Sequence, residues 1–297
     1  MELYLAMLAG LGGMFGWGLA DFFAKKTVDQ IGDIKTLLWM YFLGSVPLGI
    51  YLAFNWTTAN LSPVILGYLL LFGIAGVAGY LLFYRGLEAG LVSVLSPVFA
   101  AQSAIAVLVS VFIFKETINP LKWFALGITF VGIILVTFQP QGLDKKLSLK
   151  NLSKGLLPVL IGMLIFGFFF PCWDWFLGYQ AEGWLVSALI TRLVGVIALV
   201  VFLYVASRIK KTRVDIGVKR NRIWLWLVLI GLFDVIAEVS SAWGYRFTTF
   251  TSVVVMITGA FPLPTVILAR IFLKEKLAFN QIIGVAAIIG GLIVLAL

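Results

Sequence analysis

Ten continuous apolar stretches separated by polar connections run the length of the 297-residue chain. They are Leu3–Ala24, Thr36–Phe54, Val64–Tyr84, Leu91–Phe114, Pro120–Phe138, Gly155–Leu177, Trp184–Ala206, Ile223–Tyr245, Thr251–Leu273 and Phe279–Leu297. Each is about the length that crosses a ~30 Å hydrocarbon layer. Unpaired backbone groups are costly there and the alternation of a barrel strand is absent, so each stretch is expected to be an α-helix. The first stretch lacks a basic leading region and carries Asp21 instead of a small-residue cleavage site, so it is expected to stay in the mature protein.

The only long polar connections are Gln139–Lys154 and Ser207–Arg222. The first divides the chain into two five-segment halves, 1–138 and 155–297, joined by 139–154. The halves resemble one another. Phe114-Lys-Glu-Thr-Ile118 matches Leu273-Lys-Glu-Lys-Leu277, each followed by a Gly-rich closing segment. Met14-Phe-Gly-Trp17 answers Ile165-Phe-Gly-Phe168, and Tyr84-Arg85 answers Tyr245-Arg246. Because an odd number of crossings flips the second copy, the expectation is an all-α integral membrane protein of ten transmembrane helices in two inverted five-helix repeats.

These matches resemble the drug/metabolite transporter superfamily, specifically its EamA branch, over nearly the whole chain. The resemblance implies a central cavity lined mostly by segments 1, 3, 4, 6, 8 and 9, and movement of small metabolites by alternating access. Its motifs are scaffold signals shared by members with very different substrates. One departure is visible: the Arg often found early in the second helix of such repeats is present as Arg192, but Tyr41 stands at the corresponding place in the first half. An asymmetric binding site is therefore expected.

Composition narrows the chemistry. With 62% hydrophobic and 12% charged residues, lipid must be the solvent. One cysteine, Cys172, excludes an intramolecular disulfide, and the absence of His excludes imidazole metal sites and His-based acyl transfer. No ATP-binding motif is present and no cofactor is called for. Eighteen Lys and Arg residues, from Lys25 and Lys26 to Lys274 and Lys276, fall in the connections of one face. The other face has Lys115, Lys122 and Arg246. The positive-inside rule puts the first set in the cytoplasm of a multi-pass cell-membrane protein and both termini outside. Loop placement thus explains the net charge of +9 without a nucleic-acid partner, although the run Arg208–Arg222 could also form a lipid- or partner-binding patch.

Intramembrane carboxylates are functional candidates by default. Asp234 falls about 17 Å from either end of segment 8, with Glu238 one turn further along the same face and Ser241 and Tyr245 continuing the stripe. Arg192 and Glu238 lie at similar depth, so an ion pair is the structural alternative for Glu238. For Asp234 no basic residue of similar depth is apparent. It is therefore the leading candidate for binding substrate or exchanging a coupling proton or Na⁺, with Glu238 second.

Weaker candidates follow. Aromatic faces attract cations, which brings in Phe169 and Trp173 of segment 6, with Pro171 as a kink beside them. Trp175, Phe176 and Tyr179 read better as a membrane-interface belt. In segment 1, Trp17 lies between Gly16 and Gly18, which would admit a close neighbour; Asp21 lines the same face or pairs locally with Lys25. Tyr80 is a cavity or belt residue. Gln102 would orient substrate by hydrogen bonds or bond another helix. Pro262 and Pro264 are expected to bend segment 9, Pro97 to bend segment 4, and Thr258 to bond the backbone freed at the segment 9 bend. Gly127 and Gly132 are read as packing positions.

The expected function is secondary transport of a small amine, amino acid or other cationic or zwitterionic solute across the lipid bilayer. A polytopic membrane enzyme or lipid-handling protein is the alternative, and a passive channel a third.

Overall fold

A computed structural model describes residues 1–55, 57–59, 61–89, 99, 101–137, 149–180, 183–209, 216–218, 221–272 and 279–296, some side chains near helix ends excepted. Among the described residues there are eleven helices and no strand. They are α1 (Glu2–Ile31), α2 (Asp33–Phe54), α3 (Pro63–Ala89), α4 (Gln102–Phe112), α5 (Pro120–Thr137), α6 (Leu149–Gly178), α7 (Trp184–Ile209), α8 (Asn221–Phe247), α9 (Thr251–Gly259), α10 (Pro262–Phe272) and α11 (Phe279–Ala296). Six of them, α1–α3 and α6–α8, are long and apolar enough to cross a membrane; the remaining apolar stretches are shorter within the described residues. Large side chains such as Leu8, Ile50, Leu71, Ile197 and Ile293 are exposed around the bundle. Water would not tolerate so much apolar surface, and lipid does.

Where the residues are described, the expected segments carry over with these differences. Several helices run past their apolar stretches, α1 by seven residues and α6 by six at its start, because a helix extends into the interface once its backbone bonds are started. The stretch Thr251–Leu273 is two helices, not one bent one. Pro262 and Pro264 have no N–H to give Thr258 and Ala260. The chain closes instead by tight bonds from Ala260 N to Ile257 O at 3.0 Å, Phe261 N to Thr258 O at 3.0 Å and Leu263 N to Ala260 O at 2.9 Å. Thr258 does not bond the freed carbonyls: its hydroxyl reaches Gly10 O on α1, 3.4 Å away. By contrast α6 stays continuous through Pro158 and Pro171. The proposed bend at Pro97 lies outside the described residues.

The main packing runs between the two halves of the chain. Helix α1 lies on α8 and α9, α3 on α6 and α7, α2 on α7 and α8, α4 on α6 and α9, and α5 on α11. These contacts come in exchanged pairs, since α1 on α8 has its counterpart in α6 on α3. Small residues make the approach possible. A Cβ on Gly16 would lie 2.7 Å from both Ala237 Cβ and Phe233 O of α8, and one on Gly132 would lie 2.8 Å from Gly284 O of α11. Gly127, also expected to pack, has nothing within 4 Å among the described residues; it sits off the contact face.

The turn after α4 explains the Lys-Glu pair. Lys115 stands in the left-handed region at φ 62°. Glu116 N–H donates to Ser110 O at 3.0 Å and Phe114 N–H to Val109 O at 3.2 Å, which closes the helix end. The turn then aims the Glu116 carboxylate at the start of α9. It accepts the Ser252 amide at 3.0 Å and the Ser252 hydroxyl at 2.5 Å. Asp174 of α6 accepts the Thr251 hydroxyl at 2.6 Å. Two carboxylates from separate elements thus meet the positive end of one helix. The second Lys-Glu pair, at 274–275, lies outside the described residues.

Substituting Gly16→Val forces α1 off α8 and is expected to cost about 1–3 kcal/mol, read as a fall of several degrees in thermal unfolding of detergent-solubilised protein, while Gly127→Ala leaves it unchanged or slightly raised. Burial pushes the Glu116 carboxyl above the ordinary glutamate range, against the Ser252 bonds that favour its ionised form. A folded-state pKa raised in this way gives stability that is full below the unfolded value and lost as pH rises through the folded one. Glu116→Gln should therefore flatten the decline in unfolding temperature from the ordinary glutamate range upward.

Candidate functional site

One guanidinium organises the centre of the bundle. Arg192 of α7 is 2% exposed and Asp234 of α8 is 3% exposed. Arg192 Nη1 contacts Asp234 Oδ2 at 2.8 Å and also pairs with a carboxylate oxygen of Glu238. Its Nη2 donates to Met40 O on α2 at 3.3 Å, and the group lies 5.4 Å from the centre of the Tyr41 ring. Only glycine leaves room here: a Cβ on Gly44 would collide with Nη2, and Gly44 and Gly231 bring the α2 and α8 backbones together beside it.

Asp234 is fully engaged. Its Oδ1 accepts Trp17 Nε1 of α1 at 3.1 Å and the Tyr80 hydroxyl of α3 at 3.3 Å, while Oδ2 faces Arg192. Four helices therefore meet on one carboxylate. Glu238, one turn away, has a side chain 24% exposed and turns toward open space.

That space has two chambers. The first, with about 560 Å³ of empty space including its mouth, is lined by Arg192, Asp234, Glu238, Ser241, Tyr41 and Thr191, with Phe169, Trp173 and Phe72 among its aromatic walls. The second, about 480 Å³ on the same measure, is lined by Asp21, Gln102, Ser103, Thr258, Phe83, Phe99 and Phe261 among others. Trp17, Tyr80, Phe166, Phe170 and Tyr245 line both and form the partition between them. The rings are in contact, with centroids 5.6 Å apart for Trp17 and Phe170, 5.1 Å for Tyr80 and Phe166, and 5.6 Å for Phe166 and Phe170.

All eleven candidate residues lie on these walls. Asp234, Glu238, Ser241, Arg192, Phe169 and Trp173 line the first chamber; Asp21, Gln102 and Thr258 line the second; Trp17 and Tyr80 line both. Two expectations are corrected. Asp234 is not unpaired, because a one-turn separation of about 5.4 Å lets one guanidinium nitrogen serve both carboxylates; comparing depths alone paired it with Glu238 only. Phe176 is not in an interface belt: it is buried, 5.4 Å from both Phe72 and Trp173, while Trp175 and Tyr179 are exposed. Side-chain contacts of Lys25 lie outside the described residues.

Phe72, Gly73, Gly76, Phe166, Phe83 and Phe99 also line the chambers and were not singled out from the sequence. The available signal was the repeat itself: Phe166 occupies in Ile165-Phe-Gly-Phe168 the place of Phe15 in Met14-Phe-Gly-Trp17. Yet Phe15 is exposed and Phe166 buried, so the motif alone did not decide which copy faces inward.

A helical membrane protein whose two halves interlock around a charged, aromatic cavity has the architecture of a solute transporter. The model of the EamA-like transporter family matches residues 4–138 and 153–297, and the chain belongs to that family. Members of the family are membrane transporters of small solutes. A solved structure titled only "Crystal structure of protein" has a TM-score of 0.77 and 16% identity, covering 98% of each chain, a likeness of fold alone. No curated protein matches the chain.

Gly44→Ala adds one methyl group and no charge, but displaces Arg192 and leaves Asp234 and Glu238 uncompensated. We expect a loss of about 3–5 kcal/mol in chemical or thermal unfolding, partly recovered when Asp234→Asn and Glu238→Gln are added to the same chain.

Proposed function

We propose that this protein is a secondary active carrier that moves a cationic or zwitterionic small solute by alternating access between two inverted five-helix repeats. Both termini lie on the outer face, as the eighteen basic residues of the opposite connections favour. The observation that carries the reading is the ratio of charges in the first chamber: two carboxylates share one guanidinium. With both ionised, one negative charge is left over in a site walled by Phe72, Phe169, Trp173 and Tyr245. A proton or the ammonium group of a solute neutralises it, and aromatic faces add to the attraction for the cation.

The roles of the two carboxylates follow from their partners. Asp234 has donors on both oxygens and positions Arg192, Trp17 and Tyr80. Glu238 holds one partner and opens to the chamber, so Glu238 is the group that exchanges proton, Na⁺ or solute. The charged and titratable groups that line the chamber with it are Arg192 from α7, Asp234 and Tyr245 from α8, Tyr41 from α2 and Tyr80 from α3. From α6 come the rings of Phe166, Phe169, Phe170 and Trp173.

The test is uptake of radiolabelled phenethylamine into proteoliposomes under an imposed pH or Na⁺ gradient. Saturable, counterflow-competent uptake driven by one of those gradients is expected, with Glu238→Gln reducing the driven component at least about tenfold, the loss of one charge-assisted contact. Gradient-driven uptake by Glu238→Gln equal to that of the unsubstituted protein removes Glu238 from coupling. Non-saturating flux marks a channel, and chemical conversion without flux marks an enzyme.

A further inference from the structure

The second chamber has its own chemistry. Among the described residues its lining contains the carboxylate of Asp21 and no Lys or Arg. Asp21 has no hydrogen-bond or ion-pair partner among the described residues, so no described side chain of the chamber offsets its charge. Gln102 is 7% exposed, and its Oε1 has no hydrogen-bond partner. Tyr245, 5% exposed, reaches the chamber with a hydroxyl that is likewise unpartnered. An amide oxygen buried without a donor costs about 1–3 kcal/mol, and such a group facing a cavity marks a place for a ligand that donates.

We propose that the second chamber is a separate binding station for the carried solute, and that it recognises a primary or secondary ammonium through its N–H groups. The proposal rests on the reading of the protein as a carrier of cations. An ammonium supplies both what Asp21 lacks, a positive charge, and what Gln102 lacks, a donor. An anion would meet Asp21 with no cation to offset it. A quaternary ammonium satisfies the charge but offers Gln102 nothing, whereas the first chamber, built of carboxylate and ring faces, takes either kind.

The partition makes the two stations sequential. Trp17 and Tyr80 both donate to the same oxygen of Asp234, which holds their rings across the passage while that carboxylate stays paired with Arg192. Asp21 follows Trp17 by one turn on the same face of α1, about 6 Å along the axis. The stacked rings of Phe83 and Phe99, 3.9 Å apart at 15°, also line the second chamber, and Phe99 meets the partition ring Phe166 at 5.9 Å. A solute that passes Trp17 therefore moves from one acidic group to the next without crossing an uncompensated stretch.

Equilibrium binding of two radiolabelled probes to the purified full-length protein tests this. Phenethylamine is expected to saturate at two equivalents per chain, and phenethyltrimethylammonium, which has no N–H, at one. Asp21→Asn and Gln102→Leu should each reduce phenethylamine to one equivalent while keeping the single quaternary equivalent, which reports an intact first chamber. Gln102→Glu should tighten the second phenethylamine site about tenfold, as a charge-assisted bond replaces a neutral one. A single phenethylamine equivalent in the unsubstituted protein, lost in Glu238→Gln, overturns the second station and leaves the carrier reading standing. Two equivalents retained in Asp21→Asn also overturn it. No binding of either probe to the unsubstituted protein overturns both readings.

Discussion

Charge that is buried in a low-dielectric bundle must be met by opposite charge and by hydrogen bonds, and this constraint shapes the centre of the molecule. Arg192 reaches into the bundle where water does not, and truncating either side of such a pair is costly because the remaining charge stays buried. The surrounding structure answers that need at every contact. Gly44 clears the volume for the guanidinium, Met40 lends a carbonyl, Tyr41 offers its ring face, and α8 presents two acids one turn apart. Remove the guanidinium and Asp234 and Glu238 lose the cation they share.

The same constraint explains the asymmetry between the repeats. Where the second half has Arg192, the first has Tyr41, and the two meet face to face instead of competing. A second arginine there would lie within a few ångströms of the first and cancel the negative charge that Asp234 and Glu238 leave over. Tyr41 also fits between glycines: its hydroxyl lies near Gly76, and its ring lies against the place a Cβ would occupy on Gly195. The departure from repeat symmetry thus leaves an acidic excess in the first chamber, the property on which the carrier reading depends.

Much of this was legible from residue order. Apolar length located the spanning segments, the repeated Phe-Gly, Tyr-Arg and Lys-Glu motifs located the halves, and polar residues at depth marked the cavity walls, because burying Asp, Arg or Gln in hydrocarbon needs a reason. What stayed hidden depends on side-chain reach and on rotation about helix axes. Depth along the axis paired Arg192 with Glu238 but could not show that the guanidinium fork also takes Asp234. Pattern likewise could not separate a Phe that faces lipid from one that faces the chamber, as Phe168, exposed, and Phe170, buried, show two positions apart. Nor could it show that Glu116, a scaffold motif on paper, caps a helix of the other half.

That cap bears on the second chamber as well. Helix α9 is held at its start by Glu116 and Asp174, which come from two different elements. At its end the ladder stops, because Pro262 and Pro264 cannot continue it. A helix anchored at one end and interrupted at the other can tilt as a unit without straining α10, and hinges in proteins are drawn from such element-terminal positions. Thr258, Gly259 and Phe261, at the interruption, line the second chamber. Motion of α9 would therefore change the width of the chamber next to Asp21. In a carrier of this build the station that opens and closes would be the one beside the broken helix.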